Sequence, residues 1–171
     1  YAGAGQLRNM GIAPTACSLR ARAARQGDQP FDLVEHAHAL NLGALETRLT
    51  FNDPEAVKTF RQRLERYEMR AVLNAPLPRD ESAVAAFDGA VKACKDAGAI
   101  GLHAAMTGRR YEDLASLDAF KKNFEQCQKS VALAEPVLRK QRMRLAIENH
   151  KGWRSAEQAA WLKRVGSEWV G

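Results

Sequence analysis

The sequence has 171 residues, of which 46% are hydrophobic and 27% charged, a balance that is ordinary for a globular domain with one core. The formal net charge of +6 permits anionic ligands but requires none, and nucleic-acid binding is not expected because the basic residues are scattered along predicted helices. Three cysteines without a CxxC spacing argue against a disulfide framework or a zinc knuckle. The sequence contains no run of about 18 apolar residues, so no transmembrane helix is expected.

Strands and helices alternate along the chain. Strands are predicted at 11–17, 44–50, 70–78, 99–105 and 143–149, with a sixth beginning at 168–171. Helices are predicted at 31–43, 53–67, 81–97, from about 117 onward, and from 155 to 166. This alternation predicts βαβ units and a parallel sheet. The first turn lacks both GxGxxG and GxxxxGK[ST], so a doubly wound nucleotide-binding fold loses its main support.

The predicted fold class is α/β. Two architectures compete for this pattern, the (β/α)8 TIM-barrel type and the doubly wound open sheet, and the missing motifs count against the second. The chain holds about the first five βα units and the start of a sixth strand, as a single partial domain over 1–171. A complete barrel of this type needs about 250 residues.

Local signals mark several helix ends. Asp53 before Pro54 is typical of a helix start, with the aspartate as N-cap. Gly43 is predicted to end the first helix. Ser155 with Gln158 has the spacing of a capping box at the start of the last helix.

The stretch RLAIENHKGW ends an apolar run on ionisable side chains. Because side chains alternate along a strand, Glu148 and His150 share one face, while Leu145 and Ile147 share the other. The apolar face is expected to pack under helices, and the polar face to point into the barrel near its C-terminal mouth, where active sites of such barrels lie. A carboxylate on a buried strand needs a salt bridge, a metal or a catalytic role, so Glu148 is the leading candidate for function.

The same alternation selects two more candidates. Glu46 falls on one face of the second strand together with Arg48, and His103 lies on the fourth strand. Glu46 could instead pair with an arginine, and His103 could be a hydrogen-bonded core histidine. Trp153 could pack over the end of the fifth strand or flank a substrate.

The RLAIENHKGW segment resembles the fifth strand of the xylose-isomerase-like barrels, the sugar phosphate isomerase/epimerase superfamily, which also includes DNA-repair enzymes of the endonuclease IV type. The segments FDLVEHAHALNLGALETRL, GRRYED, LAEPVLRKQRMRLAIENH and LKRVGSEWVG match in order. GRRYED corresponds to the loop after strand four, and the proline of the next segment to one inside the fourth helix.

The resemblance implies that Glu148 is a ligand of a divalent metal, commonly manganese, cobalt, magnesium or zinc, and also the acid/base at the carbon next to the carbonyl. A metal polarises the carbonyl while the carboxylate moves the proton. His150 is then expected to contact substrate oxygens. Glu46 and His103 match interior-facing positions and are predicted to bind substrate.

Members of this superfamily supply their other metal ligands from strands six to eight, and this sequence stops as strand six begins. The expected function is metal-dependent sugar isomerisation or epimerisation by a longer protein, with a small carbohydrate as substrate. The chain alone is expected to be metal-poor, inactive and prone to self-association, and a homo-oligomer is allowed. Alternatives are a lyase or hydrolase acting on oxidised glycosides, phosphodiester cleavage, and a binding half-barrel without catalysis. The sequence leaves cytoplasmic and exported locations open.

Overall fold

The structure is a computed structural model that describes residues 9–13, 31–51, 53–106, 110–150 and 152–171. In these ranges, the strands are β1 (Gly11–Ile12), β2 (Ala44–Arg48), β3 (Arg70–Asn74), β4 (Ala99–Ala105) and β5 (Leu145–Glu148). The α-helices are α1 (Leu33–Ala39), α2 (Pro54–Arg66), α3 (Val84–Asp96), α4 (Arg110–Asp113), α5 (Leu117–Gln141) and α6 (Ser155–Val165). A 3-10 turn, Glu81–Ala83, leads into α3.

The chain divides into two compact units. Unit 1 consists of Tyr1–Asn74 with Asp96–Ile100, and unit 2 consists of Ala75–Lys95 with Gly101–Gly171. Every strand pair described in either unit is parallel, and a helix lies between successive strands along the chain from β2 onward. The predicted α/β pattern is therefore present in both units.

Unit 1 is built on the pairs β1–β2 and β2–β3. In register, Ala44 lies opposite Gly11 on one side and Arg70 on the other. Helix α2 begins as predicted, because the Asp53 side chain accepts a hydrogen bond from the Ala56 amide at 2.9 Å. The buried apolar side chains of this unit are Val34, Ala37, Leu45, Val57, Phe60, Leu64, Met69, Ala71, Leu73 and Ala97.

The end of α1 differs from the prediction. The helix stops at Ala39, and Asn41 takes the left-handed conformation with φ 56° that was expected of Gly43. Asparagine tolerates this conformation better than most residues other than glycine. The amide of Gly43 donates to the Met10 carbonyl, so this glycine serves the start of the sheet and not the end of the helix.

Unit 2 contains the β4–β5 pair, in which Leu102 lies opposite Leu145. Helix α5 starts at the predicted residue, with the Ser116 hydroxyl accepting from the Ala119 amide. Pro136 lies inside this helix, which continues through it to Gln141. Residues 110–113 form the short helix α4, where the sequence had suggested a loop.

The segment that follows α6 begins a parallel partner for β5. Gly166 ends the helix as predicted, with φ 59°. Leu145 then pairs with Val170, and the Ile147 amide donates to the Gly171 carbonyl at 2.7 Å. The predicted start of a sixth strand is confirmed.

The start of α6 uses a different cap from the one predicted. Arg154 is the N-cap residue, and its amide donates to the Glu157 carboxylate at 3.0 Å. The cap therefore lies one residue before the predicted one, and Ser155 is the first residue of the helix. Gln158 does not take part in the cap, and its side chain donates to the carbonyl of Ile147 at 3.0 Å.

Candidate active site at the end of β5

The alternation along β5 follows the predicted faces. Leu145 and Ile147 are buried, with 2% and 8% of their surfaces exposed. Ala146 and Glu148 are exposed on the opposite face. The Glu148 side chain keeps 43% of its surface, and it is the last residue of the strand. The carboxylate is therefore at the C-terminal end of a parallel strand and accessible to a ligand.

The Glu148 carboxylate lies beside the imidazole of His103. His103 lies opposite Ala146 in the strand register. Glu148 is two residues further along β5 on the same face, and it is therefore the diagonal neighbour of His103. The imidazole Nε2 lies 3.4 Å from the carboxylate Oε2, and 22% of the His103 side chain is exposed. The structure thus brings two sequence candidates together into one imidazole–carboxylate pair.

The main chain on both sides of Glu148 is held by two side-chain amides, neither of which was predicted from the sequence to take part in the site. Gln158 Nε2 donates to the Ile147 carbonyl, and Asn149 makes two hydrogen bonds with the main chain of Trp153. Their signal in the sequence was slight, namely an asparagine directly after the glutamate and a glutamine on an apolar helix face.

Trp153 itself packs inside unit 2. Only 8% of the residue is exposed, and its ring centroid lies 4.6 Å from that of Phe124 and 5.6 Å from that of Trp161. Its indole Nε1 is buried without a hydrogen-bond partner among the described residues. Of the two alternatives for Trp153, the geometry agrees with packing beneath the end of β5.

Unit 1 presents a comparable pair on the accessible face of β2 and β3. Glu46 is partly buried, and its Oε1 accepts a hydrogen bond from Asn74 Nδ2 at 3.1 Å. Glu46 lies opposite Val72, and Arg48 lies opposite Asn74, so the bonded pair is again diagonal. Asn74 was not singled out from the sequence, although it ends its strand as Glu148 does.

Comparison with known families decides the relationship of this chain. The model of the family described as Xylose isomerase-like TIM barrel matches residues 22–171, which is most of the chain. The chain belongs to the xylose isomerase-like TIM barrel family. The resemblance read from the sequence and the barrel fold class are therefore confirmed.

Solved structures of sugar epimerases share this family fold. An L-ribulose 3-epimerase aligns with a TM-score of 0.62 at 11% identity, over 94% of this chain and 58% of its own. A D-psicose 3-epimerase from Clostridium cellulolyticum H10 with D-tagatose aligns with a TM-score of 0.62 at 13% identity, over 80% of this chain and 54% of its own. A xylose isomerase domain protein from Planctomyces limnophilus aligns with a TM-score of 0.58 at 10% identity, over 94% of this chain and 60% of its own.

This chain therefore spans between 54% and 60% of the length of these barrels. At such low identity the likeness establishes the fold. No curated protein matches the sequence. In the part of the chain that the structure describes, no helix is long and apolar enough to cross a bilayer.

A metal of the kind expected in this family would find only part of its ligand set here. The described residues contain no group of three or more histidine, cysteine, aspartate or glutamate side chains that could hold an ion. Zinc sites take three or four protein ligands. Glu148 is accessible and suited to one ligand position, with His103 beside it. His150 lies two residues past the end of β5 and is partly buried.

The buried thiols are not candidates for nucleophilic chemistry. Burial raises the pKa of both Cys94 and Cys127 to about 11, with nearby Arg79 opposing the effect at Cys127. The Cys127 Sγ also donates to the Met106 carbonyl. A thiol with so high a pKa holds almost no thiolate at neutral pH. Both cysteines are core residues, as predicted, while Cys17 lies outside the described residues.

Proposed function

We propose that the full-length protein carrying this chain is a sugar isomerase or epimerase that transfers a proton at the carbon next to a carbonyl, with Glu148 as acid/base. The observation that carries the proposal is the His103–Glu148 pair at the C-terminal end of parallel strands, on their accessible face. Family membership and the epimerase neighbours support the same reaction class.

In this proposal Glu148 accepts the proton as a carboxylate and returns it to the same or a neighbouring carbon. A general base must come within about 3 Å of the proton it takes, and the 43% exposure of the side chain leaves room for that approach. His103 donates from Nε2 toward the carboxylate when its proton is on that nitrogen. This hydrogen bond orients Glu148, and it stabilises the carboxylate whenever Glu148 carries its negative charge.

Glu46 and His150 are proposed as contacts to substrate hydroxyl groups. Each is partly buried, and the Asn74 amide holds one carboxylate oxygen of Glu46 in place. A sugar offers several hydroxyls, and a carboxylate accepts hydrogen bonds from more than one of them.

A divalent cation is proposed as cofactor, with manganese, cobalt, magnesium and zinc as candidates and Glu148 as the ligand in this chain. Such an ion would polarise the substrate carbonyl. Because the described residues do not supply a full ligand set, the remaining ligands are proposed to come from parts of the protein outside them.

The direct test follows hydrogen exchange in the sugar. The full-length protein is incubated in D2O with D-fructose, D-tagatose or L-ribulose and one of the four cations, and the spectrum is followed by proton NMR. We expect deuterium to enter at the carbon next to the carbonyl of at least one ketose, and this uptake to stop after chelation. Absence of uptake for every combination would refute the proposal.

The binding half-barrel without catalysis is the second candidate, since no three-ligand cluster is found in the described residues. It predicts that a ketose binds, as seen by calorimetry, while no deuterium enters the sugar. Cleavage of an oxidised glycoside in the same tubes would instead favour the lyase or hydrolase alternative.

A further inference from the structure

Gln158 has an unusual environment for a glutamine. Only 7% of the residue is exposed, although glutamine is mostly found at protein surfaces. Its Nε2 donates to the Ile147 carbonyl at 3.0 Å, while its Oε1 is buried without a partner among the described residues. A leucine or methionine would fill this space without an unpaired acceptor. The retained amide group points to a role for the bond that it makes.

That bond lies beside the main-chain hydrogen bonds between β5 and the segment after α6. The Gly171 amide donates to the Leu145 carbonyl, and the Ile147 amide donates to the Gly171 carbonyl. Gln158 adds a bond from α6 to the carbonyl of Ile147. A side chain of α6 thus holds the main chain at the residue directly before Glu148.

The residue directly after Glu148 is fixed by a second amide. Asn149 Nδ2 donates to the Trp153 carbonyl at 3.0 Å, and its Oδ1 accepts from the Trp153 amide at 3.3 Å. These two bonds tie Asn149 to Trp153. Trp153 is in turn anchored, because its ring packs edge-on against that of Phe124.

We infer that Asn149 and Gln158 are positioning residues that fix the main chain on either side of Glu148 and so keep its carboxylate beside His103. The inference rests on the proposed function. Neither amide is directed at the accessible face of β5, because Gln158 donates to the Ile147 carbonyl and Asn149 donates to the Trp153 carbonyl. Their effect on a reaction would therefore pass through Glu148.

The test compares two glutamines with the same chemistry in the full-length protein. Gln126 also donates from Nε2 to a main-chain carbonyl, that of Arg79 at 2.7 Å, and it lies on α5. Q158M removes the bond to the Ile147 carbonyl, and Q126M removes the bond to the Arg79 carbonyl together with a 3.3 Å hydrogen bond to the Ser130 hydroxyl, at similar change in volume. For the deuterium-uptake reaction we expect Q158M to have a kcat at least fivefold below that of Q126M, with KM within twofold. A smaller difference in kcat would overturn the inference.

A double variant separates positioning from general damage. In the E148Q background, adding Q158M should leave the residual rate unchanged within twofold, because the two residues act through one carboxylate. A further fivefold loss would overturn the inference. If Q158M does not fold, N149A replaces it with the same thresholds, since Asn149 is on the surface and its truncation leaves no cavity in the core.

Amide hydrogen exchange keeps this test distinct from that of the proposed function. Whether or not any ketose reacts, the backbone amide hydrogens of 148–153 should exchange with solvent at least fivefold faster in Q158M than in Q126M. If E148Q keeps full activity, or no ketose reacts, the proposed function fails while this measurement still decides the positioning role. Unchanged exchange in 148–153 would overturn it.

Discussion

The β2–β3 pair holds Glu46 beside Asn74, and the β4–β5 pair holds Glu148 beside His103. The two contacts have the same geometry, because each joins residues that are diagonal across parallel strands. In each pair the residue on the later strand is also the last one of that strand. Parallel register alone therefore produces a polar pair on the accessible face in both units.

The two pairs differ in chemistry. Asn74 is a neutral amide that can hold a carboxylate but cannot give it a proton at ordinary pH. The His103 imidazole can donate a hydrogen bond to a carboxylate and can also carry a transferable proton. Glu46 lies in the middle of β2, whereas Glu148 ends β5 and keeps 43% of its surface. Under the proposed function, the same geometry would serve substrate binding in one unit and proton transfer in the other.

The largest effect is expected at the accessible carboxylate. Glu148→Gln keeps the shape and removes the charge and basicity, so deuterium uptake by the full-length protein should fall at least a hundredfold, or about 2.7 kcal/mol on the barrier. The rate is measured in the NMR assay with each cation present. A loss within tenfold would count against Glu148 as acid/base and remove the contrast between the pairs.

A second contrast concerns stability at high pH. The buried thiols of the described residues, Cys94 and Cys127, both lie in unit 2. Since folding raises their pKa from about 9 to about 11, the stability they contribute is present below pH 9 and is lost as the pH rises through 11. Each thiol should lower the free energy of unfolding by about 2 kcal/mol between pH 8 and pH 11.

Urea unfolding across this range measures the effect, and C94A and C127A serve as matched controls. Each alanine variant should be less stable at pH 8 but should lose less stability on the way to pH 11. Equal losses in wild type and variants would mean that the thiols do not titrate with shifted pKa values.

The imidazole partner should matter less than the carboxylate itself. In His103→Gln the side chain can still donate a hydrogen bond but cannot carry a proton. We expect a tenfold to hundredfold fall in kcat, about 1.4–2.7 kcal/mol on the barrier, because glutamine cannot take part in proton transfer as an imidazole can. Initial rates of deuterium uptake in the NMR assay measure the effect. A kcat within twofold of the wild-type value would show that His103 only packs beside Glu148.

The smallest effect is expected in the β2–β3 pair. Glu46→Gln keeps an oxygen that can accept from Asn74, so KM should rise about two- to tenfold while kcat stays within twofold. Initial rates over a range of ketose concentrations separate the two constants. If kcat fell as far as in Glu148→Gln, the difference proposed between the pairs would be wrong.

Local patterns in the sequence predicted many of the elements. Asp53 with Pro54 marks the start of α2, Gly98 and Gly166 have the left-handed φ of helix ends, and the seven residues of β4 match the predicted strand. These signals depend on one residue and its near neighbours. The face of β5 that carries Glu148 was likewise predicted, because alternation of side chains is a property of the strand itself.

Two local signals failed where a neighbouring residue competed. Gly43 was expected to end α1, but Asn41 reached the left-handed conformation first. The capping box was expected at Ser155 with Gln158, but the equivalent spacing one residue earlier, Arg154 with Glu157, is the one that forms. A shift of one or two residues decides such cases, and the propensities involved differ by only about 1 kcal/mol.

The sequence by itself determined the order of strands and helices, the polar face of β5 and the family to which the chain belongs. Tertiary structure decided which side chains meet: His103 with Glu148, Asn74 with Glu46, and Gln158 with the Ile147 carbonyl. The reason is physical. Alternation and helix caps depend on residues within a few positions of each other, whereas these contacts join positions 11 to 45 residues apart, and only the register of packed elements brings them within bonding distance.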